Sequence, residues 1–158
     1  MTPYLIATVS AVAIGAAIGA AIGWLRWRLR IVTVTGDSMR PTLAPGDRLL
    51  VRRTPLARVR GGDLVVLAYP DTRGSPIDRR GDDWLIKRAV ATPGEPVPAS
   101  VAEVLSVPPG SPVRDGALIA LGDNPDVSFD SRAFGYVFAD DLLGVVLRPI
   151  RAGAARRR

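Results

Sequence analysis

Hydrophobic positions divide the chain into one long apolar run and several short ones. Pro3–Gly23 consists almost entirely of Ala, Ile, Val, Leu and Gly, and residues 1–25 carry no charged side chain. A helix over this run would be about 31 Å long at about 1.5 Å per residue, which matches the hydrocarbon core of a bilayer. The pattern therefore predicts one N-terminal transmembrane helix.

The flank of this run favours a retained anchor over a cleaved leader. Trp24 and Trp27 alternate with Arg26, Arg28 and Arg30, a pattern typical of residues at a membrane interface. A cleaved signal peptide would begin with basic residues and have an apolar run of about 7–15 residues. Because this chain begins without a basic side chain and its run is longer, we assign residues 1–30 to an anchor.

The rest of the chain has the pattern of a mostly-β domain over residues 31–150, followed by a disordered basic tail over residues 151–158. Short apolar or alternating runs are separated by Pro, Gly and Asp clusters, which is typical of strands joined by turns. Asp71–Asp83 is polar and predicts an exposed loop, and Ser100–Leu105 predicts a short helical turn. The predicted strands are Ile31–Thr35, Arg48–Arg53, Leu64–Tyr69, Trp84–Ala91, Ala117–Leu121 and Leu142–Leu147.

Charge is concentrated at the two ends of the chain. The net charge is +6, but without residues 1–30 and the last three arginines the basic and acidic residues number 15 each. A neutral body argues against a nucleic-acid partner. The terminal arginine clusters instead predict contact with anionic membrane lipid.

Composition restricts the chemistry, because the chain has no His and no Cys. These absences exclude Ser-His-Asp catalysis, thiol nucleophiles, disulfides, and metal sites built on imidazole or thiolate. Proton transfer near neutral pH must then use a shifted carboxylate, a shifted lysine or a terminal amine. We predict no cofactor and no metal.

Lys87 is the chain's single lysine among 20 arginines. If Trp84–Ala91 is a strand, Lys87 shares a face with Leu85, Ala89 and Ala91, and an apolar face lowers the pKa of an amine. Unlike arginine, lysine can lose its proton in a protein, although a pKa of about 7–8 requires about 4 kcal/mol. Lys87 is therefore a candidate general base, and the alternative is an ordinary surface lysine.

Two further segments could supply its partners. Ser38 follows a predicted strand and Gly36 and precedes a Pro-Thr turn, so its backbone N–H could face an oxyanion; an ordinary turn is the alternative. Gly122–Gly135 is dense in Asp, Asn and Ser. Its carboxylates could indicate a metal or glycosidase pair, but such clusters more often form turns.

Taken in order, these segments resemble the type I signal peptidases, which are membrane-bound Ser/Lys serine proteases. The resemblance covers most of residues 31–148 and implies that Ser38 is the nucleophile, Lys87 the general base and Ser128 the serine that orients the amine. It also implies acyl transfer, with removal of N-terminal signal peptides from exported preproteins after small residues at positions −1 and −3. The matching stretches are Gly36–Leu43, Gly62–Val66, Lys87–Val90, Pro93–Glu95 and Gly122–Gly135.

The resemblance assigns supporting roles to other positions. Met39 is expected to pack beside the substrate cleft, Asp130 and Arg132 to brace the site, and Asp123 and Asn124 to shape the turn that contains them.

Two departures from the family pattern matter. Gly36 stands where some members have a serine that donates to the oxyanion, so the Ser38 N–H would have to suffice here, as in members that carry glycine. Pro125 replaces an arginine found in many members, which points to short relatives such as nickel superoxide dismutase maturation proteases. A peptidase dedicated to one secreted protein is therefore an alternative to a general signal peptidase.

The sequence alone does not decide the membrane orientation, and it allows two other functions. Arg26, Arg28 and Arg30 would place the β domain in the cytoplasm by the positive-inside rule, whereas the family places it on the extracytoplasmic face of the cell membrane, which we adopt. A self-cleaving repressor-type domain would need a DNA-binding region and an Ala-Gly site ahead of Ser38, and neither is present. A non-catalytic, membrane-tethered β binding module is the other alternative, and the oligomeric state is undetermined.

Overall fold

The structure, a computed structural model, describes residues 2–68 and 84–150, and for residues 2–13 and Leu25 it describes the backbone alone. The loop predicted at Asp71–Asp83 and the tail predicted at 151–158 lie outside the described residues. The chain forms two compact units, one ending at Arg30 and the other starting at Ile31, and each is described by itself.

The first unit is dominated by one long helix, α1 (Thr2–Arg28). Near its C-terminal end the Arg28 guanidinium lies 4.5 Å from the centre of the Trp24 ring, a cation–π distance. The sequence predicts a transmembrane helix in this region. Among the described residues, no helix combines the length and the apolar character that crossing a bilayer requires.

The second unit is mostly β, as predicted. Its strands form one sheet in the order β1-β2-β7-β3-β4-β5-β6, and the pairs from β2 to β6 are antiparallel. The strands are β1 (Leu29–Thr33), β2 (Arg48–Arg52), β3 (Leu64–Ala68), β4 (Trp84–Ala91), β5 (Ala117–Leu121), β6 (Val137–Phe138) and β7 (Leu142–Ile150).

The boundaries of the predicted strands agree with the structure to within three residues. β4 and β5 have the predicted bounds, whereas β1 begins two residues earlier than predicted and β7 continues three residues further. β6 was not predicted, because two residues are too short to show an alternating pattern. The predicted turn at Ser100–Leu105 is confirmed as part of helix α2 (Ala99–Leu105), and a four-residue helix, α3, follows at Ser131–Phe134.

Packing on both sides of the sheet explains these runs. Leu49 and Val51 of β2 are fully buried while Arg48 and Arg52 point outward, which is the period of two expected for a strand with one covered face. β3 lies between β4 and β7, and its residues Val65–Ala68 are buried without alternation. Full burial of each such side chain contributes about 1.5–3 kcal/mol.

Gly144 of β7 lies very close to the backbone at the end of β2. A Cβ atom at this position would lie 2.1 Å from the carbonyl oxygen of Arg52 and 2.9 Å from the Cα of Arg53, both of them backbone atoms. Because neither atom can move without displacing β2 or the turn that follows it, the fold depends on the missing side chain here.

We predict that Gly144→Ala lowers the free energy of unfolding by about 1–3 kcal/mol or more, because overpacking forces the backbone to shift. Urea unfolding followed by circular dichroism measures the change. Gly61→Ala is the matched control, since its nearest neighbour is a flexible Glu95 carboxylate oxygen at 3.7 Å. Equal unfolding midpoints for both variants would contradict the prediction.

Candidate active site

Ser38 lies in the turn between β1 and β2, and its position is fixed from both sides. The Arg40 N–H donates to the Asp37 carbonyl at 3.1 Å, which closes the turn around Ser38. The next residue, Met39, is 1% exposed and packs in the core with Val34. Met39, which the resemblance places beside the substrate cleft, is buried in the core next to the half-buried Ser38.

Lys87 lies in the middle of β4, directly opposite Val65 of β3, and is only 1% exposed. Its Nζ lies 2.8 Å from Ser38 Oγ and 3.0 Å from Ser128 Oγ. Burial lowers the pKa of Lys87; the negative charge of Asp130 raises this pKa and the positive charge of Arg132 lowers it, with a net result below 10.5. The structure therefore brings together the three residues predicted to carry the chemistry, around an amine whose pKa is lowered by burial.

Asp130 is the hydrogen-bond acceptor that joins several groups of this cluster. Its carboxylate accepts hydrogen bonds from the Gly122 N–H at 2.8 Å, from Ser128 Oγ at 2.6 Å and from the Arg132 guanidinium at 2.6 and 2.9 Å. Burial alone would raise the pKa of Asp130, but the hydrogen bonds from Arg132, Gly122 and Ser128 outweigh burial and lower the pKa to about 2. Asp130 is thus ionised at neutral pH, and the predicted pairing of Asp130 with Arg132 is present.

The ionised carboxylate determines how the hydroxyl beside it is oriented. Since an ionised carboxylate only accepts, the Ser128 hydroxyl must donate its hydrogen to Asp130. The Ser128 oxygen is then left as an acceptor for one N–H of Lys87. This hydrogen bond fixes how the amine is rotated, so that another of the tetrahedral positions around Nζ points toward Ser38 Oγ.

Gly122 is a site residue for which the sequence predicted no role. A Cβ atom on it would lie 2.2 Å from Ser128 Oγ and 2.7 Å from the carbonyl oxygen of Ser38. Its backbone conformation is an ordinary one, so space and not flexibility requires glycine here. In the sequence, only its position at the end of β5, ahead of a polar segment, could have indicated it.

A second set of bonds ties the Ser38 turn to the segment after β5. The Asn124 N–H donates to the Ser38 carbonyl at 2.9 Å, and its side-chain amide donates to the Asp37 carbonyl at 3.3 Å. Asn124, predicted to shape its own turn, thus also holds the turn that carries Ser38.

The sequence predicts no individual role for Arg88, which the structure pairs with Asp123. It forms two hydrogen bonds with Asp123, at 2.8 and 2.6 Å, and this pairing lowers the pKa of the carboxyl group. Asp123 also accepts from the Thr42 hydroxyl. The residue next to Lys87 in β4 is therefore linked to the end of the Ser38 turn.

Gly36, the remaining predicted position, is exposed, with open space where a Cβ would lie. A serine side chain would fit there, so steric crowding does not explain why this position is a glycine. Within residues 2–68 and 84–150, no group of three or more carboxylates is placed to hold a metal ion.

Comparison with known proteins identifies the family. Residues 5–107 and 99–150 match the family described as signal peptidase, peptidase S26. A probable signal peptidase I-1 of Synechocystis sp. is 30% identical over 135 residues, which cover 72% of this chain and 67% of the relative. A signal peptidase IB of Staphylococcus aureus is 24% identical over an alignment of 182 positions, which covers 92% of this chain and 89% of the relative.

A further relative, a probable signal peptidase I-2 of Synechocystis sp., is 30% identical over 129 residues, and the match spans 58% of its length. Because the family match extends over most of the chain, this protein belongs to the S26 signal peptidase family. Its class is therefore that of the serine-type endopeptidases, a group of hydrolases.

We predict that the Lys87 amine titrates below 10.5 in the folded chain, because burial disfavours the ammonium. Since Lys87 is the only lysine, isotope-labelled lysine gives one side-chain NMR signal that can be followed with pH. The folded state then binds fewer protons than the unfolded state, so stability rises with pH between the lowered pKa and the unfolded value. The urea-unfolded chain is the control, and a folded midpoint at or above the control value would refute the prediction.

Proposed function

We propose that this protein is a membrane-anchored serine endopeptidase that removes N-terminal signal peptides from exported preproteins. Ser38 acts as the nucleophile and Lys87 as the general base. The observation that carries the proposal is the distance of 2.8 Å between Lys87 Nζ and Ser38 Oγ, on an amine that is 1% exposed and has a lowered pKa. This distance lies within the range of about 2.6–3.2 Å over which a general base takes a proton.

Acylation begins when neutral Lys87 takes the proton of the Ser38 hydroxyl. Ser38 Oγ attacks the carbonyl carbon of the scissile peptide bond, and the C–N bond breaks as the ammonium of Lys87 returns the proton to the leaving amine. Water then attacks the acyl-enzyme, again with Lys87 as the base, and the carboxyl product leaves. Ser128 keeps the amine oriented in both steps through its bond of 3.0 Å.

The developing oxyanion needs a donor, and the Ser38 N–H is available for this role. Among the described residues, this N–H has no hydrogen-bond partner. Gly36 contributes no hydroxyl, so one donor that some family members use is missing. Loss of a single such donor costs about 2.7–4 kcal/mol in other enzymes, which predicts a slower enzyme than those members.

An unpaired strand edge beside Lys87 offers a place for an extended substrate. The ladder between β4 and β5 begins at Arg88, opposite Leu121, so Trp84–Lys87 extends beyond the last paired residue of β5. A substrate backbone added along this edge would pass next to both Lys87 and Ser38. The preference for small residues at −1 and −3 is carried over from the family.

We also propose that residues 1–30 anchor the enzyme in the cell membrane, with the catalytic domain on the extracytoplasmic face. The uncharged run Pro3–Gly23 supports the anchor, and family membership supports the orientation. Attachment to the membrane would raise the local concentration of substrates that are themselves inserted in it. Membranes carrying the full chain should retain it in alkaline carbonate, and its release into the supernatant would contradict the anchor.

We expect Ser38→Ala and Lys87→Arg each to reduce cleavage of a preprotein by at least about 10⁴-fold, because the first removes the nucleophile and the second removes the proton acceptor. Arginine keeps the charge but cannot act as a base, and Ser128→Ala should lose about 10²-fold through misorientation of the amine. Cleavage is measured by gel electrophoresis and N-terminal sequencing of the product, with circular dichroism to verify folding.

Ser100→Ala, an exposed serine in α2, is the matched control and should cleave like the unmodified enzyme. Full activity of Lys87→Arg would refute the assignment of the base. Cleavage of a single preprotein from a mixed set would identify a dedicated maturation peptidase and not a general one.

A further inference from the structure

A cleft lined by arginines lies apart from the Ser38–Lys87 cluster, between the turn after β2 and strand β7. Its volume is about 560 Å³, and none of Ser38, Lys87 and Ser128 lines it. The lining residues that matter here are Arg52, Thr54, Arg58, Arg60, Asp63 and Leu147. We call this the arginine cleft.

The three arginines reach the cleft from different parts of the backbone. Arg52 points outward from the end of β2, Arg58 ends the 3₁₀ turn Leu56–Arg58, and Arg60 precedes the turn into β3. Thr54 is buried, and its hydroxyl donates to the Arg52 carbonyl at 2.9 Å, which closes the backbone after β2. The positive charges therefore come from the end of β2 and from the segment that joins it to β3.

Within residues 2–68 and 84–150, no carboxylate forms an ion pair with these three arginines. Ion pairs join Arg40 to Asp37, Arg88 to Asp123 and Arg132 to Asp130, and none of these three involves the arginine cleft. Asp63 is the one carboxylate in the lining, and it accepts the Arg60 backbone N–H at 2.9 Å. Three guanidinium groups against one carboxylate leave a net charge of +2 in the cleft.

We propose that the arginine cleft binds the phosphate headgroup of an anionic phospholipid. Guanidinium groups bind phosphate oxygens in pairs of parallel hydrogen bonds, and several of them around one concavity select an anion of that shape. Leu147 lies on the same lining and is 45% exposed, so an apolar side chain adjoins the charges. Basic groups combined with an exposed apolar side chain suit a lipid surface better than a free anion.

The choice of a lipid over a soluble phosphate rests on the proposed function, which places this domain at a membrane. A headgroup held in the arginine cleft would fix one face of the β domain against the bilayer. The domain would then be oriented by a contact of its own, in addition to the covalent link through α1.

The test uses the full chain in neutral detergent, with backbone amide NMR shifts of residues 52–60 as the readout. We expect dihexanoyl phosphatidylglycerol to produce saturable shifts at these residues, and dihexanoyl phosphatidylcholine or inorganic phosphate to bind at least about tenfold more weakly. The combined variant Arg52→Gln, Arg58→Gln and Arg60→Gln should weaken phosphatidylglycerol binding at least about tenfold, since each basic residue contributes roughly fivefold at an anionic lipid surface.

The matched control removes three exposed arginines outside the cleft, as Arg48→Gln, Arg114→Gln and Arg148→Gln, and should bind within about twofold of the unmodified chain. Equal weakening of both triple variants, absence of shifts in the cleft, or equal binding of inorganic phosphate would overturn the proposal. Cleavage of a soluble peptide is measured on the same samples. A cleft variant that keeps Ser38-dependent cleavage and loses lipid binding separates the two proposals, and lipid binding without cleavage would overturn only the proposed function.

Discussion

The site depends on one constraint, a primary amine kept almost free of water inside a β sheet. Lys87 is 1% exposed, and an ammonium ion in that position is disfavoured because nothing replaces its lost hydration in full. The fold does not remove this cost by placing a carboxylate in contact with the amine. It provides two hydroxyl groups, Ser38 and Ser128, and keeps the ionised Asp130 one bond further away. The amine is therefore oriented without being held in its charged form.

Three segments remote in sequence must meet for this arrangement to exist. Ser38 and Ser128 lie 49 and 41 residues from Lys87, so the site forms only when β4 is in place and the segments after β1 and β5 close over it. Hydrogen bonds from Asn124 and the pairing of Arg88 with Asp123 join these segments to each other. Gly122 allows the contact by leaving space that any side chain would fill. Asn124, Asp123 and Gly122 thus act on the site by positioning the backbone segments that carry its side chains.

Arginine is used in this chain in two distinct ways. Arg88 and Arg132 are paired with carboxylates beside the site, where they lower the pKa of Asp123 and Asp130 and stiffen the polar network. The arginines of the cleft have no such partners among the described residues, and their charge faces outward. The β domain thus has a net charge near zero, although positive charge is concentrated in the arginine cleft. A count of charged residues in the sequence cannot reveal this separation.

The sequence by itself determined the class of the fold and most of the strands, and it singled out the candidate reactive groups. Apolar runs and turn residues are local signals, so β4 and β5 could be placed to the residue, and the absence of His and Cys left Lys87 as the candidate base. Only the tertiary structure decided the two-residue strand β6, the burial of Met39 and the roles of Gly122, Arg88 and Asn124. Each of these depends on a contact between distant parts of the chain, and such a contact leaves no periodic signal in the residues that make it.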